Sequence, residues 1–322
     1  MFFNAPLTTL LLALASVTDF TTAKPAPRCS TNAECIRRGL PIRSPSKRAF
    51  HNSNLRARQA PSDALSFDYT GAVATYTIES AGDYLFTVQA GSGGMTSAGD
   101  YSSIGGTAAQ VNATIFLNAN TVLNLVVGAQ AGTASSGFGA GGGGGSFVYT
   151  TDNDLLIAAG GGGGGETAYP NTHPGADANS DFSTSASAGS TGVAGGTGGN
   201  GGSALTEYGA GGGGAGWLSS GSTPGTSSSG NGGSTKPSWT GGTTTTGAST
   251  AGGFGGGGGG GSNGGGGGGG YSGGGGGGQY YAPGSGGGGA NYLTAAGTDG
   301  SVTIGHTGNG VIIITQLTAE AP

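Results

Sequence analysis

Very few residues of this chain have the types and spacing that chemistry requires. Asp177, Asn179 and Asp181 have the D-x-N-x-D spacing that opens a calcium-binding loop, and their oxygens are of the kind that calcium prefers. Phe182 stands where such a loop needs glycine, and no glutamate occupies the twelfth position. The three residues are therefore a calcium candidate, and the alternative is a loop of solvated acids. We expect no cofactor.

One segment matches the residue pattern of a hydrolase motif but lacks the sequence context that the motif requires. Residues 270–274 (GYSGG) fit G-x-S-x-G, but a nucleophile elbow also needs a strand before it and a helix after it. The surrounding sequence is mostly glycine and shows no helix pattern. His51, His173 and His306 are widely separated along the chain, so their spacing indicates no Ser-His-Asp triad. We expect a protein that is not an enzyme, and a secreted hydrolase is the disfavoured alternative.

Two other features concern carbohydrate. Asn112 begins the only N-x-S/T sequon, and alternation along its strand puts it on the face opposite Val111 and Ala113, as attachment of a glycan requires. Aromatic residues of the glycine-rich part either form a surface on which sugars stack or cover the ends of a core. These residues are Trp217, Trp239, Tyr271, Tyr280, Tyr281 and Tyr292.

The first 60 residues differ from the rest of the chain. Residues 7–15 (LTTLLLALA) are an apolar run of signal-peptide length, too short to span a bilayer, so we predict a signal peptide over residues 1–23 and secretion to the extracellular space or cell wall. Residues 24–60 are basic and are either a propeptide or a disordered linker. Cys29 and Cys35 are close enough in sequence to close a small disulfide loop in an oxidising compartment. The candidate processing sites are Arg37, Arg38, Lys47, Arg48, Arg56 and Arg58.

The remaining body, residues 61–322, is strongly acidic. It holds thirteen Asp and Glu residues and a single cation, Lys236, which gives a formal charge of −12. Such a body repels nucleic-acid phosphates and attracts cationic partners. No segment in it approaches eighteen consecutive apolar residues, so we predict no membrane span. The expected partner is a protein ligand, cationic if charge guides it, or a cell-wall glycan.

Both ends of the body have the pattern of β-strands. Apolar residues alternate over residues 72–78, 84–90, 111–117 and 121–127, which predicts four strands with one buried face. Apolar runs at 302–304 and 311–315 flank Gly308-Asn309-Gly310, and Asn-Gly between such runs predicts a hairpin. A further strand is predicted over residues 147–159.

Between these blocks, residues 128–300 contain most of the glycine. Of the 79 glycines, 78 follow residue 60, in contiguous runs that lack the three-residue repeat of collagen. Gly/Ser-rich sequence is typical of flexible linkers, which suits residues 219–250. The pure runs alternate with apolar anchors such as Phe147, Trp217 and Phe254, which favours extended helices of the polyglycine-II type, packed side by side.

Two blocks carry a resemblance to a known family. Residues 141–165 (GGGGGSFVYTTDNDLLIAAGGGGGG) and 252–274, followed by GSVTI at 300–304, resemble the glycine-rich extracellular region of the anaplastic lymphoma kinase and leukocyte tyrosine kinase receptors. The resemblance extends over about residues 66–316 and implies a tumour-necrosis-factor-like β-sandwich with inserted polyglycine helices that binds protein ligands. Gly261 stands where those receptors have a cysteine, and no kinase or membrane-spanning part is predicted here.

The sequence therefore predicts a mainly β protein. Its expected architecture is a β-sandwich with an array of polyglycine-II-type helices inserted at about residues 128–300, and few or no α-helices outside the signal. Its expected function is a secreted, non-enzymatic structural, adhesion or ligand-binding protein of the matrix or cell surface. A carbohydrate- or cell-wall-binding protein is the alternative.

Overall fold

The computed structural model describes residues 60–61, 64–98, 101–135, 137–168, 171–191 and 193–318. The predicted signal peptide, His51, Cys29, Cys35 and all six processing sites lie outside these residues. The described part is mainly β and contains no α-helix, which confirms the predicted class.

The described residues form sixteen β-strands, most of them at the two ends of the body. In chain order they are β1 (Ala60–Pro61), β2 (Leu65–Asp68), β3 (Ala74–Thr77), β4 (Gly82–Gln89), β5 (Thr96–Ala98), β6 (Tyr101–Ser103), β7 (Ala108–Leu117), β8 (Val122–Val126), β9 (Ala134–Ser135), β10 (Ser146–Thr150), β11 (Leu155–Ala159), β12 (Glu166–Ala168), β13 (Asn171–His173), β14 (Tyr292–Leu293), β15 (Gly297–His306) and β16 (Val311–Thr318).

Two larger sheets dominate, and every strand pair in them is antiparallel. Sheet I has the order β1-β16-β4-β7-β15, with β2 also pairing with β16. Sheet II has the order β14-β11-β10-β8-β3. Two small sheets, β12-β13 and β6-β5-β9, complete the set, and β5 and β9 are the parallel pair.

One face of each larger sheet contributes to a common hydrophobic core. Phe86, Val111 and Ile314 enter it from sheet I, and Leu125 and Ile157 enter it from sheet II. The alternation predicted for residues 84–90 and 111–117 is confirmed, and that predicted for residues 72–78 holds from Ala74 onward, because every second residue there is buried or half-buried against this core. Hydrophobic burial of these faces is what holds the two sheets together.

The predicted hairpin around residues 308–310 is wrong. Strands β15 and β16 do not pair, because β4 and β7 lie between them in sheet I. The connecting segment instead crosses the end of the sheet. Gly308 exchanges hydrogen bonds with Ser92, and the Gly310 amide donates to the Gly128 carbonyl, so the backbone of the turn pairs with neighbouring loops.

The single strand predicted over residues 147–159 is two strands. Strands β10 and β11 pair with each other around a turn at residues 151–154, where Asn153 has a positive φ of 65°. Asparagine and aspartate favour such turns, and Asn153 lies between two aspartates. The run of thirteen residues therefore folds back on itself.

The glycine runs are held by backbone hydrogen bonds to one another. The amides of residues 265–270 donate in turn to three different segments and return to the same segment every third residue. Gly265 and Gly268 donate to Gly284 and Gly287, Gly266 and Gly269 donate to Ala140 and Gly143, and Gly267 and Gly270 donate to Gly212 and Ala215.

The carbonyls of the same run follow the same period with three further segments. Gly264 and Gly267 accept from Gly261 and Gly258, Gly265 and Gly268 accept from Gly277 and Gly274, and Gly266 and Gly269 accept from Gly164 and Gly161. The run 264–270 is thus surrounded by six backbone segments. We call the hydrogen-bonded runs 141–145, 160–165, 211–214, 255–261, 264–270, 273–278 and 286–289 the glycine array.

Side chains are sterically excluded from the glycine array. A Cβ atom added at Gly267 would lie 2.1 Å from the Gly274 carbonyl oxygen, and one added at Gly266 would lie 2.0 Å from that of Gly258. Residues 219–250, whose composition suits a flexible linker, join the same network: Gly233 donates to Gly213, and Trp239 is fully buried.

Candidate functional site

A cleft lies where the glycine array meets sheet II. Its volume is about 510 Å³, within the range of small-molecule sites. Aromatic side chains and hydrogen-bonding groups line it together. The lining residues are Asn153, Asp154, Leu155, Leu156, Trp217, Tyr271, Tyr292 and Thr294.

Two parts of the fold position these side chains. Tyr292 lies on β14, opposite Ala158 of β11. Trp217 and Tyr271 belong to the glycine-rich part: the Trp217 amide donates to the Tyr271 carbonyl at 2.8 Å, and the Tyr271 amide donates to Ala290 at 2.8 Å. The cleft therefore exists only when the sheet and the array are assembled.

The β10–β11 turn supplies the polar rim. The Asn153 amide donates to the Thr150 carbonyl at 3.0 Å, and the Thr150 amide donates to the Asp154 carbonyl at 3.0 Å. The Asp154 amide also donates to the Thr150 hydroxyl at 3.2 Å. These bonds fix the turn and leave the exposed side chains of Asn153 and Asp154 at the mouth of the cleft.

A buried aromatic cluster forms the base of the site. Phe147 stacks on Trp239 with ring centroids 4.4 Å apart, and Tyr149 meets Trp217 edge-on at 5.2 Å. Tyr271 and Tyr292 stack at 4.7 Å and remain partly exposed. We call Phe147, Tyr149, Trp217 and Trp239, with Tyr271 and Tyr292 against them, the aromatic cluster.

Lys236, the single cation of residues 61–322, lies on this cluster. Its ammonium nitrogen is 3.3 Å from the centroid of the Trp217 ring, which is a cation–π contact. Burial lowers the pKa of the Lys236 ammonium. A positive charge is thus already in place on one of the rings that line the cleft.

The aromatic residues of the sequence analysis divide into two groups. Trp217, Trp239, Tyr271 and Tyr292 come together in the aromatic cluster. Tyr280 and Tyr281 instead form a separate group with Tyr208 and are 55% and 89% exposed. The single sugar-stacking surface suggested by the sequence is therefore two surfaces, and the cleft lies beside the first.

The calcium candidate has its side chains engaged with the protein. Asp177 accepts hydrogen bonds from the amide and hydroxyl of Thr107 at 2.7 and 2.8 Å. Asp181 accepts from the Ser183 amide, and Asn179 bonds to Ser185 and Ser187. In the residues that the structure describes, no group of three or more His, Cys, Asp or Glu is placed to hold a metal ion.

Asn112 lies on the outer face of sheet I, as attachment of a glycan requires. Its side-chain oxygen accepts from the Thr87 hydroxyl at 2.9 Å and from the Gln110 amide at 3.2 Å, and its nitrogen donates to Ser301. The side chain is half-buried within this row of polar contacts across three strands. The nitrogen that would carry a glycan is the atom that donates to Ser301.

The serine of the GYSGG motif forms hydrogen bonds with backbone groups. Ser272 is fully buried, donates to the Thr184 carbonyl at 2.6 Å and accepts from the Gly199 amide at 2.9 Å. His306 bonds to the Asn309 carbonyl at 2.8 Å, and His173 lies on β13 opposite Glu166. Within the described residues, no hydrogen bond joins either histidine to Ser272 or to a carboxylate.

Sequence reasoning missed Glu166. It is fully buried on β12, and neither carboxylate oxygen has a hydrogen-bond partner among the described residues. The hydroxyl of Ser103, on neighbouring β6, is also buried and unpaired. Burial raises the pKa of Glu166 to about 8, so its carboxyl group is mostly protonated and neutral below that pH.

No protein-family model matches the chain, and no curated protein is detectably similar to its sequence. Among the described residues, no helix combines the length and the apolar character that crossing a membrane would need.

Proposed function

We propose that this protein is a secreted, non-enzymatic scaffold of the extracellular matrix or cell surface that binds a ligand at the aromatic cleft. The observation that carries the proposal is the period-three hydrogen bonding of residues 264–270, which turns low-complexity sequence into an ordered framework. Because this framework consists almost entirely of backbone, it offers few reactive side chains, which favours a structural or binding role over catalysis.

The period of three supports the architecture expected from the receptor resemblance. An extended helix with three residues per turn directs successive backbone groups to three sides, and glycine alone lets such helices approach closely. Bonding of the run 264–270 to six segments is what a packed bundle of polyglycine-II helices requires. We infer that these helices are inserted in a tumour-necrosis-factor-like sandwich formed by sheets I and II.

The position of the cleft supports a binding role. Trp217 and Tyr271 are contributed by the glycine-rich part and Tyr292 by sheet II, so the array builds one wall of the site. Rigid aromatic walls lose little conformational entropy when a ligand binds. Secretion is inferred from residues 1–23 and the basic segment that follows them.

The experiment expresses the full chain in a secreting host and follows two properties of the protein in the medium. We expect a mature protein that begins near or after residue 24, and slow amide hydrogen exchange in the array, because its amides are paired. Retention of the chain inside the cell would disprove secretion. Exchange at the rate of an unfolded chain throughout residues 141–289 would disprove the scaffold.

Binding is tested by immobilising the secreted protein and passing over it an extracellular extract of the same organism. The matched control is the Tyr292→Ala variant, which removes one ring from the cleft. We expect the wild-type protein to retain material that the variant does not. Equal retention by both would exclude the cleft as the binding site.

A further inference from the structure

We infer that the aromatic cleft binds an uncharged carbohydrate built of pyranose rings. This inference rests on the proposed function and specifies its ligand. Three features of the cleft point to this class: partly exposed stacked rings, polar side chains at the rim without a side-chain hydrogen-bond partner among the described residues, and a negative charge at the rim that disfavours anionic ligands.

The rings provide an apolar platform of limited size. Tyr271 and Tyr292 are stacked, partly exposed and line the cleft beside Trp217. A pyranose ring has an apolar face of C–H groups that packs against an aromatic face, while its hydroxyls stay available at its edge. Aromatic side chains with polar groups in the same site suit a ligand of this divided character.

The rim provides groups that match hydroxyls. The Asp154 carboxylate and the side-chain amide of Asn153 have no hydrogen-bond partner among the described residues. The turn that carries them is fixed by two backbone–backbone hydrogen bonds and by one from the Asp154 backbone amide to the Thr150 hydroxyl. A carboxylate accepts from two hydroxyls, and an amide both donates and accepts. Thr294 adds a third hydroxyl-binding group to the lining.

Charge narrows the class to uncharged sugars. Asp154 and the formal −12 of residues 61–322 oppose uronic acids and sulfated or phosphorylated sugars. The single cation near the site, Lys236, is already engaged with the Trp217 ring, its ammonium nitrogen 3.3 Å from the ring centroid. A neutral polyol does not meet the repulsion that opposes an anionic sugar.

The test uses the full-length secreted protein and its own fluorescence. The chain has two tryptophans, and Trp217 lines the cleft. Soluble hexasaccharides of glucose, mannose and N-acetylglucosamine are titrated, with a hexamer of galacturonic acid as the charged comparison. We expect at least one neutral hexasaccharide to shift the emission with saturation below about 10 mM, and the uronic acid hexamer to have no effect.

Variants locate the binding. Tyr292→Ala and Asp154→Ala each weaken binding at least tenfold, while Asp152→Ala, on the same turn but outside the cleft, and Tyr281→Ala, in the exposed tyrosine group, leave it unchanged. Because Asp154 is exposed on a turn, its variant keeps the protein folded even if Tyr292→Ala does not.

Each contrary result overturns the inference. If no neutral hexasaccharide binds, or if Tyr281→Ala abolishes binding, the cleft is not a sugar site. If the cleft variants lose an extracellular protein partner and no sugar is bound, the ligand class is wrong while the proposed scaffold function stands. If the uronic acid hexamer binds most tightly, the charge argument fails.

Discussion

The sheets and the glycine array have equally buried interiors made in opposite ways. Between sheets I and II, side chains such as Phe86, Leu125 and Ile157 interdigitate and exclude water. In the array, residues 141–145 and 160–165 are buried without any side chain, because backbone lies directly against backbone. Close packing is therefore reached either by filling the space between elements or by leaving no space to fill.

The two interiors differ in what stabilises them. The sheets gain roughly 25 cal/mol for each Å² of apolar surface removed from water. Each glycine instead loses about 1–2 kcal/mol of backbone entropy on ordering and gains a hydrogen bond with a net value of about 0.5–1.5 kcal/mol. The array is thus close to balance by itself. Its apolar anchors, Trp217, Phe254 and Tyr271, lie in one hydrophobic cluster with residues of sheet II such as Phe147 and Tyr149.

A Gly→Ala substitution inside the glycine array is the strongest test of the difference between the two interiors. We expect Gly267→Ala to abolish folding of the secreted protein, or to lower its free energy of unfolding by more than about 3 kcal/mol, because the new Cβ would lie 2.1 Å from the Gly274 carbonyl oxygen. Yield in the medium and thermal unfolding followed by circular dichroism measure this.

The matched control adds the same atom at a glycine with free space around it. A Cβ at Gly247 would have no atom within 4 Å, so Gly247→Ala should change the melting temperature little or raise it slightly. If the two variants melt alike, the tight packing of the array is wrong.

The sheet core should respond in a graded way. Phe86 is fully buried, so we expect Phe86→Ala to cost about 3–5 kcal/mol. Phe86→Leu keeps most of the volume and should cost about 1–1.5 kcal/mol. Denaturant unfolding measures both variants. A cost of Gly267→Ala below that of Phe86→Leu would contradict the distinction between the two interiors.

The same distinction explains what the sequence predicted. Alternation of apolar residues found the strands around Phe86, Val111 and Leu125, because burial of one face leaves a period of two in the sequence. The order of the strands was not predictable, since the Asn-Gly at 309–310 has the composition of a hairpin turn but its flanking strands are separated by two others. A turn motif indicates the local backbone conformation, but it does not indicate whether the two strands that flank it are neighbours in the sheet.

The cleft was predictable only as a set of residue types. Trp217, Tyr271 and Tyr292 were recognised as candidates, but a run of glycine carries no side-chain pattern that tells which aromatic residues it brings together. Tyr280 and Tyr281 are also tyrosines that lie between glycine runs of the sequence, yet they belong to the exposed group. Asp154 was not predicted as part of a site, because its place at the cleft depends on the β10–β11 turn.

Glu166 borders the array and should make stability depend on pH. Burial raises its pKa to about 8, whereas an unfolded glutamate titrates near 4.3. The folded state therefore binds the extra proton between these values, and the free energy of unfolding falls as pH rises from about 4.5 to about 8, by a few kcal/mol.

The Glu166→Gln variant keeps the shape of the side chain and removes the group that titrates. We expect it to flatten this part of the pH profile and to be more stable than the wild type at pH 8–9. Denaturant unfolding at a series of pH values measures this, and Glu207→Gln, at an exposed position, is the control. A wild-type protein whose stability rises over pH 5 to 8, with the Glu166→Gln profile parallel to it, would contradict burial of a neutral carboxyl.

Asn291 tests whether the two interiors unfold together. Fully buried next to β14, it accepts from the Gly160 amide at 2.8 Å and donates to the carbonyls of Asn179 and Asp181 at 2.6 and 2.9 Å. Asn291→Ala leaves these backbone groups without a partner, so we expect the free energy of unfolding to fall by about 1–3 kcal/mol. Asn118→Ala, at an exposed turn, should change it little.

Hydrogen exchange of the Asn291→Ala variant then distinguishes two outcomes. Faster exchange throughout the array and sheet II would show one cooperative unit, as joint construction of the cleft requires. Faster exchange confined to residues near 160 and 177–181 would show that the array opens separately from the sheets.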